Sequence, residues 1–338
     1  MRILITGGAG YIGGHALVEA LNAGHEAHVV DNLCNSSAES LARVRRLTNR
    51  GFGFTRADIR DGAAMRDVVG DFAPEAVIHF AGLKAVGASV SEPLAYFDNN
   101  VSGTLALLGA LRDSECRRFV FSSSATVYGD PDYLPIDEAH PLRTTNPYGR
   151  TKLQIEGILQ DLAASDPTWS IALLRYFNPV GAHPLGRIGE DPVGVPDNLL
   201  PFVAQVAVGR RDALSVYGDD YDTPDGTGVR DYIHVTDLAR AHLAAIDWTA
   251  RSRGCEAFNL GTGRGVSVLE MVEAFSEASG RPIPVRITPR RPGDVATCFA
   301  DARKAEAELG WRAELGLDEM CRSAWHWQSR NPDGYGSD

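Results

Sequence analysis

Short apolar runs recur at intervals through the first half of the chain. RILIT (2–6), AHVVD (27–31), FGFTRAD (52–58), AVIHF (76–80), RFVFSS (118–123) and SIALLRY (170–176) have strand length, and most are rich in β-branched or aromatic residues. Between them, apolar positions return every three to four residues. That spacing predicts helices near 12–23, 37–49, 62–71, 94–112 and 147–164. Strands alternating with helices predict an α/β fold: a Rossmann-type doubly wound parallel sheet covered on both faces. Ligands of such sheets bind beyond the carboxyl ends of the strands.

The pattern loosens after residue 176. Residues 177–198 are dense in Pro, Gly and Asn and read as a long loop. Helical spacing returns near 198–208, 236–250, 267–279 and 317–329. We read residues 1–176 as one domain. Residues 177–338 read as a smaller, C-terminal substrate-binding α/β domain that returns some elements to the first sheet. The tail YGSD reads as mobile.

Composition narrows the class. A chain of 338 residues with 44% hydrophobic and 23% charged residues is an ordinary soluble globular protein. Its net charge is −11 and it has no long Lys/Arg run, which argues against a nucleic acid polymer as partner. Five cysteines, an odd number with no CxxC pair, fit a reducing cytoplasmic compartment. A strand beginning at Arg2 leaves no room for a signal peptide, and no apolar run is long enough for a membrane span. Without HExxH or a Cys/His cluster at zinc spacing, no metal site is expected.

The first strand ends in TGGAGYIGG (6–14). Gly7, Gly10 and Gly13 form GxxGxxG between a strand and a helix, where glycine lets a pyrophosphate approach the backbone and the helix N-terminus favours an anion. A lone glycine pattern is weak, but this one has the required strand before it and helix after it. Asp31 ends the second strand. A carboxylate there can bond the adenosine ribose hydroxyls and repel a 2′-phosphate, which favours NAD over NADP. Residues 1–176 therefore read as an NAD-binding Rossmann domain. Asp58 and Ile59 follow the third strand, where adenine would lie, and Phe80, Ala81 and Gly82 follow the fourth.

A second motif, TNPYGRTK, occupies 145–152. Asn146 suits an N-cap and Pro147 the first helical position, so Tyr148 and Lys152 share one helix face. An ammonium near a phenol stabilises the phenolate, making Tyr148 a usable base. A surface Tyr and Lys would give the same spacing, and YxxxK alone is common. The glycine loop gives the pair its meaning.

With SSSATVYG (122–129) and YGRTK in view, the chain resembles the extended short-chain dehydrogenase/reductase superfamily and, more closely, its UDP-glucose 4-epimerase family. DNLCNS (31–36), HFAGLKAVG (79–87), LLRYFNPVGAHP (173–184), GVRDYIHV (228–235) and WHWQSR (325–330) carry the resemblance over nearly the full length. It implies that Tyr148 is the base, that Lys152 holds the nicotinamide ribose and lowers the tyrosine's pKa, and that Ser124 bonds the reacting hydroxyl. It implies NAD contacts from Tyr11, Ile12, Asp31, Asn32, Leu33, Cys34, Asn35, Ser36, Asp58, Ile59, Phe80, Ala81, Gly82, Lys84, Asn99, Ser122 and Phe177. It implies contacts to a UDP-hexose from Lys84, Asn178, Asn198, Leu199, Val216, Tyr217, Arg230, Arg291, Asp294 and Cys298, and a homodimer.

The implied activity is transient oxidation at sugar carbon 4, with no net redox change. A related 4,6-dehydratase chemistry needs an Asp-Glu pair before VYG, where this chain has Ala125 and Thr126. The same fold would also suit a net dehydrogenase or a non-catalytic NAD-binding protein. The position of Cys298 varies in the family between a bulky aromatic and a smaller residue near the sugar's carbon-2 substituent. A small Cys there predicts that N-acetylated UDP-hexoses are also accepted. His79 reads as structural, as do His183 and His234.

Overall fold

The computed structural model describes residues 1–192, 194–196, 198–291 and 293–336. Its strands are, in chain order, β1 (Arg2–Thr6), β2 (Glu26–Asp31), β3 (Gly53–Arg56), β4 (Ala76–His79), β5 (Arg118–Ser122), β6 (Ser170–Tyr176), β7 (Asn178–Val180), β8 (Leu214–Tyr217), β9 (Val229–His234), β10 (Gly254–Leu260), β11 (Gly265–Ser267), β12 (Val285–Thr288) and β13 (Thr297–Cys298). Seven of them form one sheet in the order β10-β6-β5-β4-β1-β2-β3, with every neighbouring pair parallel. This is the Rossmann-type sheet that the alternation predicts.

The pleat explains the two layers. Ile3 and Ile5 of β1 point to one face, with Leu17 and Leu21 of the Tyr11–Asn22 helix and Leu238 and Ala241 of the Val235–Arg251 helix. Leu4 points to the other, with Met65, Leu107 and Leu159 from the Gly62–Phe72, Gly103–Arg112 and Pro147–Ser165 helices. Both faces are apolar, as a parallel sheet requires. The Gly254–Leu260 strand extends this sheet from the second half of the chain.

The remaining strands build small sheets at the carboxyl edge. β9 pairs with β11, β13 and β7, and β8 pairs with β12. β7, β8, β9 and β11 share a separate core with Val203, Phe275 and Met320.

Three expectations change. β3 stops at Arg56, because Asp58 accepts the Arg60 amide and turns the chain. The helix expected over 94–112 is instead a chain of pieces. Val86–Ser91 ends before Pro93, which opens Pro93–Tyr96, and Phe97–Ser102 widens into a π-helical turn before Gly103 resumes the α-helix. The tail is anchored as far as Tyr335. That residue's amide bonds Asp191, its hydroxyl sits 3.2 Å from the Gly189 carbonyl, and its ring lies 4.8 Å from that of Trp327. Residues 337 and 338, the rest of the expected mobile tail, lie outside the described residues, as do 193 and 197 in the expected loop.

Candidate active site

The glycine loop is shaped by backbone contact. Gly7 has φ +73°, and a Cβ on it would lie 2.6 Å from the Ala81 amide nitrogen. A Cβ on Gly13 would lie 2.2 Å from the Gly7 carbonyl oxygen. No side chain caps the helix that begins at Tyr11, so its first N–H groups are open to an anion. Tyr11 donates from its hydroxyl to the Gly181 carbonyl at 2.7 Å, joining this loop to the second half of the chain. Ile12 packs on the sheet core.

Asp31 is buried at the end of β2. It accepts from the Ala9 amide at 3.0 Å and from the Leu33 amide and Ser36 hydroxyl at 2.9 Å. Leu33 is left-handed at φ +60°, which folds residues 32–36 around that carboxylate. Asn32 bridges from the Cys34 amide to Asp58, and Cys34 is exposed. Hydrogen bonds from Arg60 hold the Asp58 carboxyl well below the usual carboxylate range. Ile59 is buried beneath Gly103, whose added Cβ would lie 2.5 Å from it. Past β4, Phe80 packs on His242, and Gly82 faces Asn100. Asn100 bonds the Leu83 amide and carbonyl and the Thr151 hydroxyl, tying this loop to the Tyr148 helix, and Asn99 donates to it. These residues fit a dinucleotide: an open helix end for a pyrophosphate, a carboxylate beside it, and glycines where backbone must be approached.

Tyr148 and Lys152 face the end of β5. Asn146 caps their helix through the Gly149 amide, with Pro147 at its start. Both side chains are buried, at 7% and 5% exposure. Lys152 donates to the Ser122 carbonyl at 2.7 Å, and Ser122 also shares a hydrogen bond with Tyr176. Ser124 takes hydrogen bonds from the amide and hydroxyl of Thr126. Burial raises the Tyr148 pKa and a hydrogen bond with Ser124 works against that rise. The expected lowering by Lys152 is therefore not present in the chain alone. One of the ammonium's three N–H groups goes to the Ser122 carbonyl, and burial brings its own pKa down to about 8.

A second cluster comes from the small sheets. Arg291 lies over the Tyr217 ring at 4.5 Å and pairs with Asp294 at 3.1 Å. Arg230 reaches Asp294 at 4.0 Å. Cys298 on β13 sits in register with Arg230 on β9. Burial pushes its thiol up to about 11, so it is a neutral small side chain rather than a nucleophile. Val216 points into the core, which leaves only its backbone to touch a ligand. Phe177 is buried with Val127 and Tyr128, Asn178 is exposed on β7, and Leu199 opens the Leu199–Ala207 helix.

Between the clusters stands Glu190, a residue that no sequence motif singles out. Lys84 and Asn198 both bond its carboxylate at 2.8 Å. His79 is structural as expected. Thr104 donates to the Asn100 carbonyl and so accepts from His79 Nε2–H, which leaves Nδ1 to accept from Thr6. Among the described residues no group of three His, Cys, Asp or Glu could hold a metal ion, and no helix is long and apolar enough to cross a membrane.

Comparison with known proteins agrees with this geometry. Residues 4–324 match the family described as GDP-mannose 4,6 dehydratase, and the chain belongs to that family of extended short-chain dehydrogenase/reductase proteins. Within it, the chain groups with the UDP-glucose 4-epimerases. It is 59% identical to UDP-glucose 4-epimerase of Bacillus subtilis (strain 168) over 337 residues, covering 100% of this chain and 99% of that protein. It is 54% identical to the Homo sapiens UDP-glucose 4-epimerase, covering 99% of each. The crystal structure of UDP-glucose 4-epimerase from Bifidobacterium longum in complex with NAD+ and UDP superposes with a TM-score of 0.96 at 54% identity, covering 99% of this chain and 100% of that one.

Proposed function

We propose that this chain interconverts UDP-glucose and UDP-galactose by transient oxidation at sugar carbon 4, with a retained NAD and Ser124, Tyr148 and Lys152 as its catalytic set. The observation that carries the reading is the seating of Tyr148, Lys152 and Ser124 at one strand end beside the glycine cradle. When bound, NAD supplies the reversible hydride acceptor that protein side chains lack. Gly7, Gly10 and Gly13 leave room for its pyrophosphate, and Asp31 suits its adenosine ribose.

Tyr148 would take the proton from the carbon-4 hydroxyl once positive charge from Lys152 and the bound cofactor offsets the burial that raises its pKa, and Ser124 would hold that hydroxyl by a hydrogen bond. Arg230 and Arg291 clamp the diphosphate, since a guanidinium fork matches phosphate oxygens. Tyr217 stacks on the uracil. With the UDP anchored, the ketosugar turns about its link to the diphosphate and presents its other face. Tyr148 then returns the proton, and the product is the carbon-4 epimer.

Thr126 does not replace a dehydratase acid, because its hydroxyl is spent on Ser124. Cys298 leaves space where a larger side chain would stand, so UDP-N-acetylglucosamine and UDP-N-acetylgalactosamine are interconverted as well. Val90, Leu94 and Leu105 are exposed on the helices of residues 86–112, Leu94 by 82%, and are the apolar side chains that a homodimer contact there would cover. Light scattering that gives a monomer mass would reject that contact. Five free thiols fit a reducing cytoplasm.

The test is conversion of UDP-galactose by purified protein with no NAD added, followed by proton NMR. Formation of UDP-glucose supports epimerisation with retained cofactor. Conversion only after NAD is added points to an exchanging dehydrogenase, and none in either case rejects the function.

A further inference from the structure

A fully buried ion pair stands behind the catalytic set, and the chemistry at carbon 4 does not touch it. Glu156, one helical turn beyond Lys152, is 1% exposed, and Arg175 on β6 is 3% exposed. Arg175 bonds both Glu156 oxygens, at 2.6 Å from Nη2 to Oε2 and 3.0 Å from Nε to Oε1. Ser123 donates to Oε1 at 2.5 Å. Arg175 also donates to the Tyr128 hydroxyl, which donates to Asn259 on β10. Burying two charges costs more than a well-packed apolar pair of the same size, so stability alone is a weak reason to place one here.

Its position suggests another reason. Tyr148, Lys152 and Glu156 lie at four-residue spacing along one helix face. Each meets one of three consecutive serines at the end of β5. Ser124 bonds Tyr148, the Ser122 carbonyl takes Lys152, and Ser123 bonds Glu156. The groups that bear on Lys152 are Tyr148 and Glu156 on its own helix, His79 on β4 and the Phe121 ring on β5. Glu156 is the only carboxylate in that set. Its charge opposes the effect of burial on Lys152.

We propose that Glu156 is a positioning residue for the reaction: locked by Arg175 and Ser123, it seats the Tyr148–Lys152 face on β5 and sets the field that keeps Lys152 charged. This role rests on the catalytic reading of Tyr148 and Lys152.

The test is the pH profile of kcat/KM for UDP-galactose in the wild type, in Glu156→Gln and in the double variant Glu156→Leu/Arg175→Met. The double variant removes both charges and keeps the volume apolar, so it folds if the pair is only structural. The expected result is an alkaline limb moved to lower pH by about one unit in Glu156→Gln, which is a tenfold loss on that limb, and by less in the double variant, where the opposing Arg175 charge is also gone, with KM little changed. A double variant with wild-type melting temperature and a wild-type limb overturns the proposal. Should the double variant not fold, the near-isosteric Glu156→Gln decides it in the same way. A wild type that does not epimerise, or a Lys152→Met variant that stays fully active, would instead reject the catalytic reading itself.

Discussion

The proposed cofactor wall and the proposed substrate wall are made of different materials. The cofactor wall is backbone: Gly7 against Ala81, Gly13 against Gly7, and an uncapped helix end, all at the edge of a continuous parallel sheet. The substrate wall is long side chains. Tyr217, Arg230 and Arg291 come from β8, β9 and the segment before β13, and they stack on or pair with one another and Asp294. Backbone packing leaves a position no freedom, whereas a side-chain ion pair can exchange its partner for a phosphate. A fixed cradle suits a group that stays, and exchangeable side chains suit a substrate that enters and leaves.

Substitutions should therefore act differently on the two walls. Gly13→Ala should have the largest effect. Its Cβ meets a carbonyl oxygen that cannot swing away, an overpacking cost of about 1–3 kcal/mol or more. Bound NAD, measured after denaturing the purified protein, should be lost, and a full complement of NAD would show that the cradle is not rigid. Arg291→Ala should spare NAD content and raise KM for UDP-galactose by about 10- to 100-fold, the worth of one charge-assisted bond. An unchanged KM would remove Arg291 from the substrate wall.

Cys298→Tyr should act on selectivity alone. It should lower kcat/KM for UDP-N-acetylgalactosamine by about 5- to 150-fold, from an overpacking cost of about 1–3 kcal/mol, and leave UDP-galactose turnover close to wild type. Full N-acetyl activity in that variant would refute the pocket assignment.

A last effect, on stability rather than on ligand or substrate, concerns the frame both walls share. Burial brings the pKa of His15 and His79 down to about 3 and of His234 and His242 down to about 4. Each is neutral in the folded chain, while the unfolded chain takes up the proton near pH 6.5. Their contribution is complete above that pH and is lost as pH falls from about 6.5 toward 4, by at most about 1.4 kcal/mol per histidine per pH unit. The urea midpoint should fall between pH 7 and pH 5.5, and a constant midpoint would contradict neutral burial.

The cofactor wall is also the more readable one. GxxGxxG, Asp31 and six of the seven strands of the large sheet are local patterns that the structure keeps within a few residues, whereas β10 is not among the expected strands. The substrate wall is legible only through resemblance, because β12 is almost wholly exposed and carries no buried face, and β13 is only two residues long. Glu190 and the Glu156–Arg175 pair escape a sequence reading for a related reason. Each gains its meaning from partners distant in sequence, such as Lys84, which lies 106 residues from Glu190. Spacing finds Tyr148 and Lys152 but not the geometry of the ammonium. A bond to the Ser122 carbonyl, 30 residues away, cannot be read from YxxxK.

The most direct measurement is turnover of UDP-galactose by Tyr148→Phe beside the wild type, with bound NAD quantified in both. Losing one general acid–base group costs about 10²–10⁴-fold, so the variant should hold NAD and convert substrate at least a hundredfold more slowly. Near-normal turnover with NAD in place would contradict the account, because another group would then be moving the proton.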